Sequence, residues 1–381
     1  MANIVFGHGH NVSSLFSPLN PANDIAWDSP GSSYNHTETQ TVYISAGHQC
    51  LFVQLAHVNL GLGVNIQFSY QYIDTLKNLV IFKTGGIVSK TWSLADDRRS
   101  VRAGVVSIQC EPGTFKYSVI VEAPHRIQIQ FEPEGNPSPV GYRVGTGRAV
   151  FGDASDASYI SHTFLPRCNV RNCTFRLDNG DVLDLARDTS IHAFFIHANQ
   201  RDRPFNLACR WQFSIFQSKN FTAHAIEFLP AGNWTTEDGP SSDGSKKDLN
   251  DSSNWIKQGS VIRTDNSQPL IFNTKSHIKV LEVGFKDVET GYFPPSKVQI
   301  SYPSTDGDAG CSAMIEANTV LVSRIDMLDQ LPWLLRRLIQ ALITKPFGYQ
   351  FYNEAEIVFQ DKNGQELKEM GWIFNEVTFM M

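Results

Sequence analysis

The chain has 381 residues, of which 41% are hydrophobic and only 18% charged, with a formal net charge of −6. Nucleic-acid binding draws on a strong basic patch, so this balance excludes a protein dominated by polyanion contacts, and no nucleic-acid partner is expected. No apolar run approaches the ~18 residues of a membrane-spanning helix.

The opening MANIVFGHGHNVSSLFSP lacks the basic start and apolar run of a secretory signal, which points to an intracellular setting. The cysteines Cys50, Cys110, Cys168, Cys173, Cys209 and Cys311 are dispersed, and mostly reduced thiols fit that setting. Cys168 and Cys173 bracket PRCNVRNC without the second close pair of a zinc knuckle. They would bond only if their backbones approached to disulfide separation.

In chain order, residues 1–36 are rich in Asn, Ser, Pro and Gly and read as an irregular strap. From Thr37 a series of strand-like runs begins: TETQTVYISAG, CLFVQLAHVNLG, VNIQFSYQYI, NLVIFKTGG, VSKTWSLA, VRAGVVSIQCE, TFKYSVIVEA and HRIQIQFEPE. Alternation with Gly, Asn, Asp or Pro at the joints predicts an antiparallel meander. EGNPSPVGYRVGTG interrupts it, after which CTFRL, a DNG turn and DVLDL read as a hairpin. IHAFFIHA, CRWQFSIFQS and TAHAIEFLP follow, then a polar stretch over 233–255 that reads as a mobile loop. Strands return in GSVIRT, HIKVLEVGFKDV, KVQISYPS and CSAMIEANTVLVSRI.

The one strong helix signal lies at 330–343, where Leu331, Leu334, Leu335, Leu338 and Leu342 form one stripe behind an Asp329 cap. An amphipathic helix packed on a sheet is the plain reading. Trp333, Arg336 and Arg337 make it a candidate membrane contact. YQFYNEAEIVFQDKNG and GWIFNEVTFM close the chain as strands.

These runs divide into two all-β halves, 37–160 and 161–381, each with enough strands to close on itself and remove exposed edges. Tandem antiparallel β-barrels are expected, with one large sandwich as the alternative. No nucleotide, zincin or hydrolase motif occurs in a suitable context, and no catalytic residue, metal or cofactor is assigned. A general acid–base pair can be drawn from His192, His197, His224 and Glu227. His192 and His197, five apart, face opposite sides of a regular strand, which argues against a shared metal site. His197 is retained as a lumen-facing hydrogen-bonding candidate.

In CRWQFSIFQS, alternation puts Cys209, Trp211, Phe213 and Ile215 on one face, read as the apolar one. Arg210, Gln212, Ser214 and Phe216 take the other. Arg210 is either solvated or buried against a carboxylate such as Glu227. Gln212 and Gln217 offer amides for the same work. Barrels with apolar interiors enclose hydrophobic small molecules, and 25 Phe, 11 Tyr and 7 Trp supply either such a lumen or simply filled cores.

The segments TETQTVYIS, HTFLPRC, FFIHANQRDRPFNLACRWQFSIFQSKNFTAHAIEF, ITKPFGYQFYNEAEIVFQ and MGWIFNEVTF resemble the fungal survival-factor family, in the same order, from Thr37 to the end. The resemblance implies an all-β protein of two tandem lipocalin-like (calycin) barrels that is not an enzyme. It implies a hydrophobic lipid ligand, ceramide or another sphingolipid, carried between membranes in support of sphingolipid homeostasis and survival of oxidative stress. It also implies a cytoplasmic and nuclear location with weak, transient contact with endoplasmic reticulum or Golgi membranes.

Pro166, Arg167 and Cys168 match the family's P-R-C, His197 and Ala198 its H-A, and Arg210 and Trp211 its R-W. Phe213, Gln217 and Glu227 match the residues that follow. His197, Arg210, Trp211, Phe213, Gln217 and Glu227 are therefore the ligand-binding or lumen-lining candidates. The basic amphipathic helix that opens the family is missing here. A lumen-based enzyme acting on a flexible hydrophobic substrate, as in fungal cyclisation enzymes of similar build, and a scaffold with filled barrels are the alternatives.

Overall fold

The computed structural model describes residues 5–6, 16–61, 63–134, 140–145, 147–151, 158–187, 190–230, 255–266, 270–304, 310–326 and 346–380. The helix expected over 330–343, with Trp333, Arg336 and Arg337, lies outside these residues, as does the 233–255 loop except Trp255.

The chain forms two compact units, one containing Phe16–Arg203 and the other Pro204–Met381. The division thus falls well beyond the expected 160/161 boundary. The reason is strand pairing. The principal strands of the first unit are β1 (His36–Ala46), β2 (Gln49–Asn59), β3 (Val64–Asp74), β4 (Leu79–Ile87), β5 (Val106–Cys110), β6 (Tyr117–Val121), β7 (Arg126–Pro133), β8 (Ser158–Arg176) and β9 (His192–Arg201). Their order is β4-β3-β2-β1-β9-β8-β7-β6-β5. β8 and β9 sit between β1 and β7, so the first sheet is incomplete without residues assigned by pattern to the second half.

β8 and a short strand at Val182–Asp184 form the expected hairpin, pairing Thr174 with Asp184. Its register with β9 shifts between Leu165 and Cys168, where Pro166 has no amide to offer the ladder. Cys168 and Cys173 lie along this one extended strand and all six cysteines are free thiols. Five residues of strand span ~16 Å, far beyond disulfide reach.

Alternate residues of β1, β2 and β9 point into one core that takes in Val42, Ile44, Leu51, Val53, Leu55, Ala193 and Phe195. The strap is not a loose leader. Leu19, Ile25 and Trp27 belong to that core, and Trp27 is fully buried.

The second unit contains β10 (Ala208–Gln217), β11 (Phe221–Pro230), β12 (Ile256–Arg263), β13 (His277–Val283), β14 (Pro295–Tyr302), β15 (Ser312–Asn318), β16 (Phe347–Gln360) and β17 (Glu366–Phe379). The order is β12-β11-β10-β17-β16-β15-β14-β13, antiparallel throughout. Two devices draw β13 back towards the other end of the order. The Glu227 carboxylate on β11 accepts the Ile278 amide at 2.7 Å. On β12, a Cβ at Gly259 would lie 2.4 Å from Ser276 Oγ and 2.6 Å from its Cβ, so only glycine lets the two segments meet there.

Candidate functional site

The interior of the second unit is layered. Paired residues share a face in an antiparallel ladder, and the register sets Arg210 opposite Phe379, Gln212 opposite Val377, Ser214 opposite Asn375 and Phe216 opposite Ile373. Phe216 and Ile373 join an apolar cluster with Ala223, Val261, Ile300 and Ile357. Phe347, Tyr349, Phe351, Val377 and Phe379 form a second, aromatic cluster. Between them lies a polar layer.

Gln212, Ser214 and Asn375 are all nearly fully buried there and, with Ile278, Pro295, Val298, Thr319 and Phe351, line a small cavity of about 10 Å³, room for about one water molecule. Ser214 Oγ donates to Asn375 Oδ1. Gln212 Oε1 and Asn375 Nδ2 have no hydrogen-bond partner. An orphan acceptor and an orphan donor thus border one small enclosed space, at a desolvation cost of about 1–3 kcal/mol each unless a bound group meets them. Glu376 also borders the cavity. Burial raises its pKa, while hydrogen bonds from Gln350 and Thr378 pull it back.

The face of β10 that pattern assigned to the core is therefore not the lumen face. The Arg210, Gln212, Ser214, Phe216 row points inward. Trp211 packs against Phe228, ring centroids 5.2 Å apart and tilted, on the opposite face and Gln217 has that same parity. Phe213 also has outward parity but contributes to the cavity wall.

Arg210 lies inward, though not against Glu227. Its guanidinium sits over the Phe379 ring at 4.9 Å and its cross-strand neighbour on β11 is Leu229. Glu227, wholly buried, is occupied by Ile278 N and by His277 Nδ1 at 3.2 Å. His224, also wholly buried, hydrogen-bonds Ser260 at 2.9 Å.

His197 lies in the other unit. It points inward from β9, and its Nε2 meets Glu38 Oε1 at 2.8 Å. The amides of Asp28 and Ser29 in the strap donate to the same carboxylate at 2.8 and 2.7 Å, and Ser29 Oγ donates to Asn199 at 3.0 Å. Burial alone would raise the Glu38 carboxyl, but His197 and the two amides outweigh it and hold its pKa below the ordinary value.

Beside it, His36 Nε2 meets His57 Nδ1 at 2.8 Å. Burial, with His36 next in effect, pushes His57 down to about 4. Trp27 packs edge-on against Trp92 at 5.0 Å. The group ties the strap to the core of the first unit. His192, as its parity requires, turns the other way and meets Arg167 at 2.8 Å. Arg167, almost wholly buried, is ion-paired with Glu134 and is the clamp that pattern had sought at Arg210. Among the described residues no three His, Cys, Asp or Glu side chains converge as for a metal ion.

Pattern reasoning noted Gln212 only as a spare amide and passed over Ser214, Asn375, Glu38 and Trp27. The available signal was the repeated polar residue on alternate positions of β10, Gln212 and Ser214, facing a polar position in the last strand.

Two calycin-type antiparallel β units, one with a buried polar layer in its interior, define a tandem lipocalin-like protein. Solved structures of that shape are similar over nearly the whole chain. A putative AttH from Nitrosomonas europaea matches with a TM-score of 0.54 at 10% identity, covering 96% of this chain and 100% of that one. Kievitone hydratase from Nectria haematococca matches with a TM-score of 0.52 at 10% identity, covering 95% and 98%. At that identity the likeness concerns the fold.

The chain belongs to the Svf1 family, whose profile matches residues 7–381. Among similar proteins are the ceramide-binding protein svf1 of Schizosaccharomyces pombe, 26% identical over 97% of this chain and 93% of that one, and the ceramide-binding protein SVF1 of Candida albicans, 26% identical over 94% and 87%. An SVF1-like protein of Saccharomyces cerevisiae is 27% identical over 90% and 83%.

Proposed function

We propose that the protein binds a ceramide-like lipid non-enzymatically and passes it between membranes, with the head group held in the polar layer of the second unit. One observation carries this reading: the orphan acceptor of Gln212 and orphan donor of Asn375 on a single buried cavity. A sphingoid amide with its hydroxyls presents donors and acceptors side by side and satisfies both. At about 10 Å³ the cavity is far below the about 300–1,000 Å³ usual for a small-molecule pocket, so loading requires the interior to open. On this reading the polar layer widens to take the head group, and the hydrocarbon chains lie toward the aromatic layer of Phe347, Phe351 and Phe379, whose side chains part on loading. The names of the relatives, ceramide-binding proteins, support the same cargo. On this reading the protein serves sphingolipid homeostasis and survival of oxidative stress, working in the cytoplasm with transient visits to endoplasmic reticulum and Golgi membranes.

Titration with a short-chain fluorescent ceramide tests the proposal. Gln212→Leu and Asn375→Leu each remove one orphan group and are expected to weaken binding about tenfold, the worth of one buried hydrogen bond; melting temperature is expected to be held or raised in Gln212→Leu and lowered in Asn375→Leu, which also takes the acceptor from Ser214. Unchanged affinity in both variants would refute the head-group assignment.

A further inference from the structure

Two apolar side chains of the second unit stand fully in solvent: Phe285 is 98% exposed and Val288 97%. Both lie on the connection between β13 and β14. Lone exposed apolar residues are ordinary on a protein surface, but this pair is held out by a rigid base.

Gly284 N donates to Pro294 O at 2.8 Å, and Asp287 N to Tyr292 O at 2.8 Å. The Asp287 carboxylate accepts from the Glu289 amide at 2.9 Å, from Arg324 at 3.0 Å and from the Tyr349 hydroxyl at 2.9 Å. Tyr292 stacks on Phe379 at 4.4 Å with the rings nearly parallel, and the Arg210 guanidinium lies 4.9 Å from the same ring. Asp287 and Glu289 are both met by Arg324, which leaves one negative charge that Lys286 on the same loop offsets.

The place in the fold is specific. Pro294–Ser296 joins this loop to the turn after β15, because Thr319 N donates to Ser296 O and Thr319 Oγ1 to Pro295 O. Pro295 and Thr319 both line the polar cavity. On that turn Val320 is 64% exposed and Leu321 47%. Four exposed apolar side chains therefore stand on the two connections that adjoin the polar cavity.

We propose that these connections dock the second unit onto a lipid bilayer, with Phe285 and Val288 inserted among the acyl chains and Lys286 at the head-group level. A folded protein partner is the poorer fit. Stable protein interfaces bury about 800 Å² per side on a complementary surface. Two side chains projecting from a narrow turn offer much less, whereas a fluid bilayer needs no matching shape. The anchored base removes most of the ordering cost of insertion. The inference deepens the lipid-binding reading, since connections that adjoin the cavity and rest on a membrane give the cargo a path that avoids water.

The test is flotation of the full chain with phosphatidylcholine vesicles, with and without phosphatidylserine, comparing the native protein with Phe285→Ser/Val288→Ser. A Phe285→Trp variant serves as a fluorescence reporter. Flotation is expected to fall at least tenfold in the double variant, and the tryptophan emission to shift to the blue on vesicles. Short-chain ceramide binding in solution is expected to be unchanged in the double variant. Equal flotation of both proteins, or a tryptophan that stays water-exposed on vesicles, would overturn the docking. So would a native dimer in sedimentation that the double variant abolishes, which would make a second copy the occupant. If neither protein binds ceramide while flotation still depends on Phe285 and Val288, the cargo reading fails and the docking stands.

Discussion

The carboxylate of Glu227 and the backbone amide of Ile278 are joined across 2.7 Å, a side chain of β11 taking up a main-chain donor of β13. β13 ends the strand order of its sheet, and an end strand presents unpaired amides. Glu227 answers that need with a buried charge that His277 also meets. Hydrogen bonds to a charged group contribute about 1.5–3 kcal/mol. Glu227→Ala is expected to destabilise the protein by about 3 kcal/mol, and Glu227→Gln, which keeps one acceptor oxygen, by about half as much. Urea unfolding of the two variants measures the difference; equal losses would show that the acceptor is not what matters.

Gly259 supplies the second closing device. The added methyl of Gly259→Ala meets both heavy atoms of the Ser276 side chain and the His224 carbonyl oxygen, 3.1 Å away. Overpacking of this kind costs about 1–3 kcal/mol. Removing the obstacle with Ser276→Gly in the same chain is expected to recover part of that loss, a non-additivity typical of residues in contact. Thermal melts of the two single variants and the double variant give the coupling directly.

Arg167 and Arg210 have different neighbours. Arg167 is buried with Glu134 and His192 as partners, and removing one side of such a pair costs about 3–5 kcal/mol. Arg210 rests on the face of Phe379, a contact worth about 0.5–2 kcal/mol. Arg167→Ala is expected to lower stability on that scale. Arg210→Ala should in turn lower stability more than ceramide affinity, because the cavity lining does not include it. A variant with unchanged melting but lost binding would make Arg210 a head-group contact instead.

Acid should weaken the first unit in a defined window. Burial holds the pKa of His57 at about 4 and that of His162 at about 3, whereas an unfolded histidine titrates near ~6.5. Between these values the unfolded chain binds protons that the folded chain refuses, so stability falls as pH drops from about 6.5 to 4. For His57 the loss is on the order of 3 kcal/mol. The depressed Glu38 carboxyl adds stability that is present above the ordinary glutamate value and is lost as pH falls through its folded-state value. Melting temperatures recorded from pH 7 to pH 4 should decline, and His57→Asn should flatten the slope. A flat native profile would contradict this.

Alternation and turn residues were enough to reveal an all-β chain with two antiparallel units, because period-2 patterning survives wherever one strand face is buried. The unit boundary was hidden because β8 and β9 complete the first sheet by long-range pairing with β7 and β1, which no local pattern encodes. The lumen face of β10 was inverted for a related reason. Trp211 and Phe213 look like core residues, but the inward row is the one carrying Gln212 and Ser214. Polar residues inside a barrel invert the usual rule that the apolar face is the buried one. Glu38 and His197, 159 residues apart, meet only through the β1–β9 ladder, so the strap's anchor could not be found by motif.

The lipid reading is met most directly by native mass spectrometry of the protein purified from a eukaryotic host under detergent-free conditions. One lipid of ceramide mass per chain is expected, lost in Gln212→Leu and Asn375→Leu while both variants remain folded. A native protein that carries no lipid, and takes up none when offered ceramide, would contradict it.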